Sequence, residues 1–232
     1  MRLDRFLANQ PQYSRRRANE LLAAGRVELD DQPVRDGTLE VDRFSRIAVD
    51  GRLLQQRQAR YFMLNKPAGI LSATRDDQHR CATELIESRE RDGLHIAGRL
   101  DRASTGLLLL SDDGSWTRVL TEPDKAIKKI YRVETANPID PQTQASFAEG
   151  IYFAYEGITT KPVKLEQLGE RCVRLTLTEG RYHQIKRMFG RFRNPVLALH
   201  REQIGAIRLD PDLAPGQYRP LTPAEIDSVM GR

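Results

Sequence analysis

A chain of 232 residues, 39% hydrophobic and 30% charged, has the composition of a globular protein, with room for one large domain or a small one joined to a medium one. No apolar run approaches the length that spans a bilayer, and Met1-Arg2-Leu3-Asp4-Arg5 opens onto no signal-peptide core, so the expectation is a cytoplasmic protein with no membrane partner. The net charge of +5 points toward a polyanion, and residues 1 to 60 carry twelve arginines, no lysine and nine acids.

Cys81 and Cys172 lie far apart, with no CxxC and no histidine at a metal-ligand spacing, which predicts two reduced thiols and no metal. In the first segment Leu3, Phe6 and Leu7 recur at helical spacing. Ser14 is placed to cap a second helix whose apolar face is Ala18, Leu21 and Leu22 and which ends at Gly25. Short strands follow at Val27 to Leu29, Val34 and Ile47 to Val49. Arg15, Arg16 and Arg17 fall in the first turn of that second helix, where the dipole disfavours cations by up to ~1 kcal/mol. A charge run is usually a solvated face. Three arginines beside free helix amides would also clamp phosphate, and the unfavourable placement favours that role.

Residues 52 to 60 are polar and unpatterned and are expected to be a linker, giving a first domain over 1–58 and a second over 59–232. From Tyr61 the pattern becomes short strands with intervening helices. Tyr61 to Leu64 reads as a strand turned by Lys66-Pro67-Ala68-Gly69, with Ile70-Leu71 starting the next, and 82 to 89 as a short helix. Leu107 to Leu110 form a strand buried on both faces, and Ser115 is placed to cap the helix after it. Lys128 to Glu134 alternates, with Lys129, Tyr131 and Val133 on one face. Asp140-Pro141 starts a helix closed by Gly150, and Cys172 to Thr178 is a strand with one wet face. Ile185, Met188, Phe189 and Phe192 make a helical stripe, which belongs to the core; Lys186 borders it, and His183 and Arg187 lie elsewhere round the helix. Val196 to Leu199 and Gly205 to Leu209 read as strands, and Thr222-Pro223-Ala224-Glu225 as a capping box. The mixture indicates an α+β fold on a mixed, largely antiparallel sheet flanked by helices.

Just before the leucine strand lies Asp101, with Arg99 and Arg102 beside it to favour the carboxylate, and Ser104, Thr105 and Gly106 as polar, flexible backbone of a kind that approaches a ligand. On this stretch alone an ion pair with Arg102 competes with a role as nucleophile or base. A carboxylate at 101, an aromatic ring on a strand at 131 and a cation near 186 make a set in which the cation holds the acid ionised and the ring stacks on a planar substrate.

In this order the segments resemble the catalytic motifs of RsuA-type pseudouridine synthases: Gly98-Arg99-Leu100-Asp101 with Thr105-Gly106-Leu107-Leu108-Leu109-Leu110, Lys129-Ile130-Tyr131, and Glu179-Gly180-Arg181-Tyr182-His183-Gln184-Ile185-Lys186-Arg187-Met188-Phe189. Tyr61 to Pro67 and Leu213 to Leu221 also resemble that family, and Met1 to Phe6, Ser14-Arg15 and Gly25-Arg26-Val27 resemble its S4-type RNA-binding module. The resemblance implies Asp101 as the catalytic aspartate attacking the flipped-out uridine or its ribose, Tyr131 packing on the base as a candidate for proton abstraction, and Lys186 as the cation paired with Asp101. Arg99 would help expel the target nucleotide, and Arg2, Arg15, Arg16, Arg17, Arg26 and Lys66 would contact RNA. Distant relatives have arginine where this chain has Lys186, so the charge remains but the bidentate fork is lost. No cofactor is implied. Thr160-Lys161-Pro162, Leu199 to Gly205 and Leu213 to Leu221 resemble the small-subunit branch, which implies one uridine of 16S rRNA as substrate, with a monomer as the default state. The competing assignments are a family member acting on large-subunit RNA, a catalytically silent ribosome-assembly protein, and a carboxylate-dependent hydrolase using Asp112 or Asp113 as a second acid.

Overall fold

The computed structural model describes residues 1–230; Gly231 and Arg232, the end of the expected second domain, lie outside the described residues. The chain divides into two compact units, Met1–Ala59 and Arg60–Arg232.

In the first unit, α1 (Leu3–Ala8) and α2 (Arg15–Ala23) precede a four-stranded antiparallel sheet of β1 (Val27–Leu29), β2 (Gln32–Val34), β3 (Ile47–Val49) and β4 (Arg52–Gln55), in the order β2-β1-β3-β4. Leu3, Leu7, Leu21 and Leu22 of the helices pack on Val27, Ile47 and Val49. Ser14 caps α2, its Oγ accepting the Arg17 N–H at 3.2 Å. The expected linker begins later than residue 52. Asp50 and Gly51 both have positive φ, the geometry of a tight primed hairpin turn, and so fold β4 back onto β3.

The second unit runs β5 (Tyr61–Lys66), α3 (Ser88–Arg91), β6 (His95–Ala97), β7 (Thr105–Ser111), α4 (Gly114–Thr121), β8 (Lys129–Thr135), α5 (Gln142–Glu149), β9 (Tyr152–Phe153), β10 (Ile158–Thr159), β11 (Lys164–Gly169), β12 (Cys172–Leu177), α6 (Gln184–Gly190), β13 (Val196–Ile204), β14 (Ile207–Arg208), β15 (Tyr218–Pro220) and α7 (Pro223–Met230). The main sheet has the order β11-β12-β8-β13-β7-β5-β15, with β14 on β13 and β6 on β7. Only β13 and β7 run parallel among the described pairs, so the sheet is mixed and largely antiparallel, as expected.

Strand parity decides what each leucine of β7 does. Leu107 and Leu109 join Met63 and Trp116 on one face, and Leu108 and Leu110 join Phe62, Leu64 and Ile86 on the other. All four are fully buried, at ~1.5–3 kcal/mol of hydrophobic stabilisation each. This two-sided burial holds the strand rigidly behind residue 101. On β8, Tyr131 and Val133 face a cluster with Val173, Leu175, Ile185, Met188 and Phe189, which fixes α6 over the β8–β12 half of the sheet.

Several boundaries differ from expectation. Asp113, rather than Ser115, caps α4, accepting the Ser115 and Trp116 N–H groups at 2.9 and 3.1 Å; from two residues upstream of Ser115, its carboxylate can reach the free amides of the first turn. The third motif becomes helical only at Gln184, because His183 takes a left-handed conformation (φ 49°, ψ 30°). Ile70-Leu71 forms only an isolated bridge, Leu71 to Cys81, instead of a strand.

Gly106 has φ +101° and lies opposite Arg201 in the parallel pair. A Cβ there would lie 2.7 Å from the Arg201 backbone nitrogen and closer still to its carbonyl oxygen. The flexible backbone expected to approach a ligand instead lets another strand approach. Gly106→Ala is expected to cost at least about 3 kcal/mol, combining a forbidden φ with a backbone clash, as measured by urea unfolding.

Candidate active site

A cavity of about 540 Å³ opens between the segment before β7 and the start of α6, with Arg99, Asp101, Tyr131, His183 and Lys186 among its walls. The structure therefore brings together all three residues of the sequence-derived set. Ser72 locks the Asp101 segment from behind: its Oγ accepts the Leu100 N–H at 3.0 Å and donates to the Leu100 carbonyl at 2.8 Å. The Ser104 N–H donates to the Asp101 carbonyl at 3.0 Å, closing the turn into β7.

The Asp101 carboxylate is held by α6. Lys186 Nζ donates to Oδ2 at 3.0 Å, and His183 Nε2 lies 3.5 Å from the same oxygen. Among the described residues Oδ1 receives no hydrogen bond, so one carboxylate oxygen is anchored and the other has no protein donor. Both partners are only about one-third exposed, which strengthens their attraction relative to a surface pair. The adjacent Arg102 does not take part in this pairing: its Nε donates to the Gly69 carbonyl at 3.1 Å.

Tyr131 is 8% exposed, and its register on β8 turns the ring toward the cavity beside the Leu100 side chain. Its hydroxyl is 3.5 Å from Arg201 Nη1. Arg201 itself is 1% exposed and donates to the carbonyls of Leu107 (2.8 Å), Gly98 (3.1 Å) and Arg99 (3.3 Å). Sequence reasoning missed this residue and the approach of His183 to Asp101. The available signal for Arg201 was Gly106, since a glycine inside an apolar strand marks a close backbone approach.

Lys66 is a correction. Its side chain is fully buried, and Nζ donates to the carbonyls of Ser104 (2.7 Å), Pro67 (3.0 Å) and Arg102 (3.3 Å), so it braces the loop containing Asp101 and cannot reach RNA. Burial lowers its pKa to about 8, against the opposing pull of the Asp101 charge. Between pH 8 and the ordinary lysine pKa the unfolded chain then binds more protons than the native one, so this group's contribution to stability rises with pH. Lys66→Met is expected to remove that rise, measured as urea midpoints at pH 7.5 and 9.5.

Of the first-unit arginines expected to contact RNA, all are exposed and four are ion-paired. Arg2 meets Asp4 at 2.6 Å, Arg16 and Arg17 meet Glu20 at 3.0 and 3.2 Å, and Arg26 meets Asp50, whose carboxyl it holds below the usual range. Glu20 offsets the placement of Arg16 and Arg17 in the first turn of α2. Exposed pairs of this kind add little to stability. Arg15 has no ion pair among the described residues. Nor do the described residues contain a group of three or more His, Cys, Asp or Glu able to hold a metal ion, and no described helix is long and apolar enough to cross a membrane.

A Lys186-paired carboxylate and a buried tyrosine thus share the walls of one cavity in the second unit. Residues 60–190 match the RNA pseudouridylate synthase family and residues 1–52 match the S4 domain. The chain belongs to the RNA pseudouridylate synthase family and is an RNA pseudouridine synthase, an isomerase. It is 56% identical over 230 residues to the ribosomal small subunit pseudouridine synthase A of Pseudomonas aeruginosa, covering 99% of this chain and all of the relative. It is 45% identical over 231 residues to the protein of the same name from Escherichia coli (strain K12), covering 99% and 100%. A crystal structure of a pseudouridylate synthase superposes with a TM-score of 0.72 at 39% identity, with 99% of each chain covered.

Proposed function

We propose that this chain isomerises one uridine of 16S rRNA to pseudouridine, using Asp101 as the nucleophile on a nucleotide turned out of its stack. The observation that carries the proposal is the Asp101 carboxylate, with Oδ2 held by Lys186 in a cavity that Tyr131 also lines. Arg99, exposed at the cavity wall, is placed to fill the gap left by the extruded base, offsetting part of an unstacking cost of a few kcal/mol. Tyr131 packs on the uracil and is the candidate to accept the proton lost from C5. Lys186 holds Asp101 Oδ2 in place before attack.

The reaction breaks the bond between C1′ and N1, turns the uracil and joins C1′ to C5. A proton leaves C5 and one is gained at nitrogen, so the product is an isomer and the cycle balances without a redox partner or cofactor. Arg2, Arg15, Arg16, Arg17 and Arg26 supply backbone contacts that add affinity without reading sequence. The names of the full-length relatives support the small-subunit substrate, and such an enzyme works in the cytoplasm, where ribosomes assemble.

The test is tritium release from 16S transcripts labelled at uracil C5, followed by mapping of pseudouridine in RNA from cells with and without the protein. Release together with a single small-subunit site lost on deletion is expected. No release at high enzyme would reject the catalytic reading, and a lost site in large-subunit RNA would reject the substrate.

A further inference from the structure

Tyr182 is 77% exposed although it lines the wall of the cavity that holds Asp101. One face of its ring is occupied: it stacks on the His183 imidazole, with centroids 3.9 Å apart and planes inclined by 20°. His183 in turn reaches Asp101 Oδ2 at 3.5 Å. A continuous series of groups therefore runs from the reacting carboxylate, through an imidazole, to an aromatic ring with most of its surface in water.

The loop presenting this pair is rigidly framed. Glu179, 9% exposed, accepts from Gln184 Nε2 (2.7 Å), the Lys161 N–H (2.9 Å) and Arg181 Nε (3.3 Å). Gln184 Oε1 accepts the Arg181 N–H at 3.0 Å, spanning Tyr182 and His183. Arg187 reaches the Tyr182 carbonyl at 3.5 Å and is itself fixed by Glu156 and by the Phe153 ring, 3.7 Å below its guanidinium. His183 adopts its left-handed backbone within this frame. Such strain persists only where the surroundings over-determine it, and here it places two rings side by side at the cavity mouth.

We propose that the Tyr182–His183 stack is a docking platform for the unpaired nucleobase next to the target uridine. The inference rests on the function proposed above. Turning a uridine out of its stack strips its neighbour of a partner, and that neighbour is tethered one sugar-phosphate link from the cavity. A preformed ring replaces the lost stacking without ordering a flexible side chain. Stacking accepts any base, so the platform selects unpaired RNA at that position rather than a particular letter.

The test is a cycle between protein and RNA variants, read by equilibrium binding. Abasic nucleotides are placed one at a time through the unpaired segment of a 16S transcript that the protein protects, and each RNA is titrated with wild type, Tyr182→Ala and Tyr182→Phe. One position is expected at which loss of the base weakens wild-type binding roughly tenfold but weakens Tyr182→Ala binding less than twofold, with Tyr182→Phe restoring the wild-type pattern. Urea midpoints within error of wild type establish that the exposed substitutions leave the fold intact. Absence of any such coupled position overturns the platform, as does a phenylalanine variant as weak as the alanine one, which would assign the effect to the hydroxyl. Because the cycle reads binding, wild type that binds but releases no tritium rejects the catalytic reading and leaves the platform separately measurable.

Discussion

Asp101→Asn is expected to lower turnover by at least about 10³-fold while leaving RNA affinity within about tenfold. The substitution is nearly isosteric, so Ser72 can still fix the Leu100 segment and β7 can still support it from behind. What disappears is the anionic oxygen. A carboxamide is a poor nucleophile, and its presence leaves the Lys186 ammonium without the charge that it now faces at 3.0 Å. The phosphate contacts proposed for the first unit would be a separate contribution, because they would neutralise backbone charge whatever sits in the cavity. Single-turnover tritium release and filter binding on the same transcript separate the two quantities. Near-normal release by the asparagine variant would remove Asp101 from the nucleophile's role; a parallel collapse of binding would make it a structural residue.

The periodic elements and the three-residue set were legible because their signals are local. Four leucines before a turn specify a strand buried on both faces, and alternation along β8 is enough to turn Tyr131 inward and Arg132 outward. The catalytic segments carried a family pattern, which joined residues 101, 131 and 186 before any fold was known. The misplaced features depend on geometry that residue types alone do not encode. Both Asp113 and Ser115 can cap a helix, and only the path of the chain selects the former. Lys66 resembles a phosphate ligand in sequence, yet the last inward position of β5 directs it into a ring of carbonyls. His183 was assigned to a face by extending a helix back through it, whereas its left-handed backbone turns it toward Asp101. Arg201 was invisible because polar residues on strands are usually exposed, and its partners lie about a hundred residues upstream.

Arg201→Met is expected to lower folding stability by about 3 kcal/mol and turnover by more than tenfold. The stability estimate weighs two opposed effects. Removing a buried guanidinium that has no carboxylate partner among the described residues relieves a desolvation cost, which favours the methionine. Against this, the carbonyls of Gly98, Arg99 and Leu107 lose charge-assisted donors at 2.8 to 3.3 Å, each worth ~1.5–3 kcal/mol. Three such losses exceed the relief. The effect on turnover follows from position: the same fork spans β7, the backbone just before Asp101 and the Tyr131 hydroxyl, so it sets the spacing between Asp101 and the ring. Arg201→Lys separates charge from shape. If the fork matters, lysine satisfies at most part of the carbonyl set and remains impaired in turnover, even where urea unfolding recovers. Full recovery of both by lysine would mean that charge alone is required at this position. A methionine variant as stable and as active as wild type would mean that Arg201 holds neither the strand pair nor the spacing between Asp101 and Tyr131.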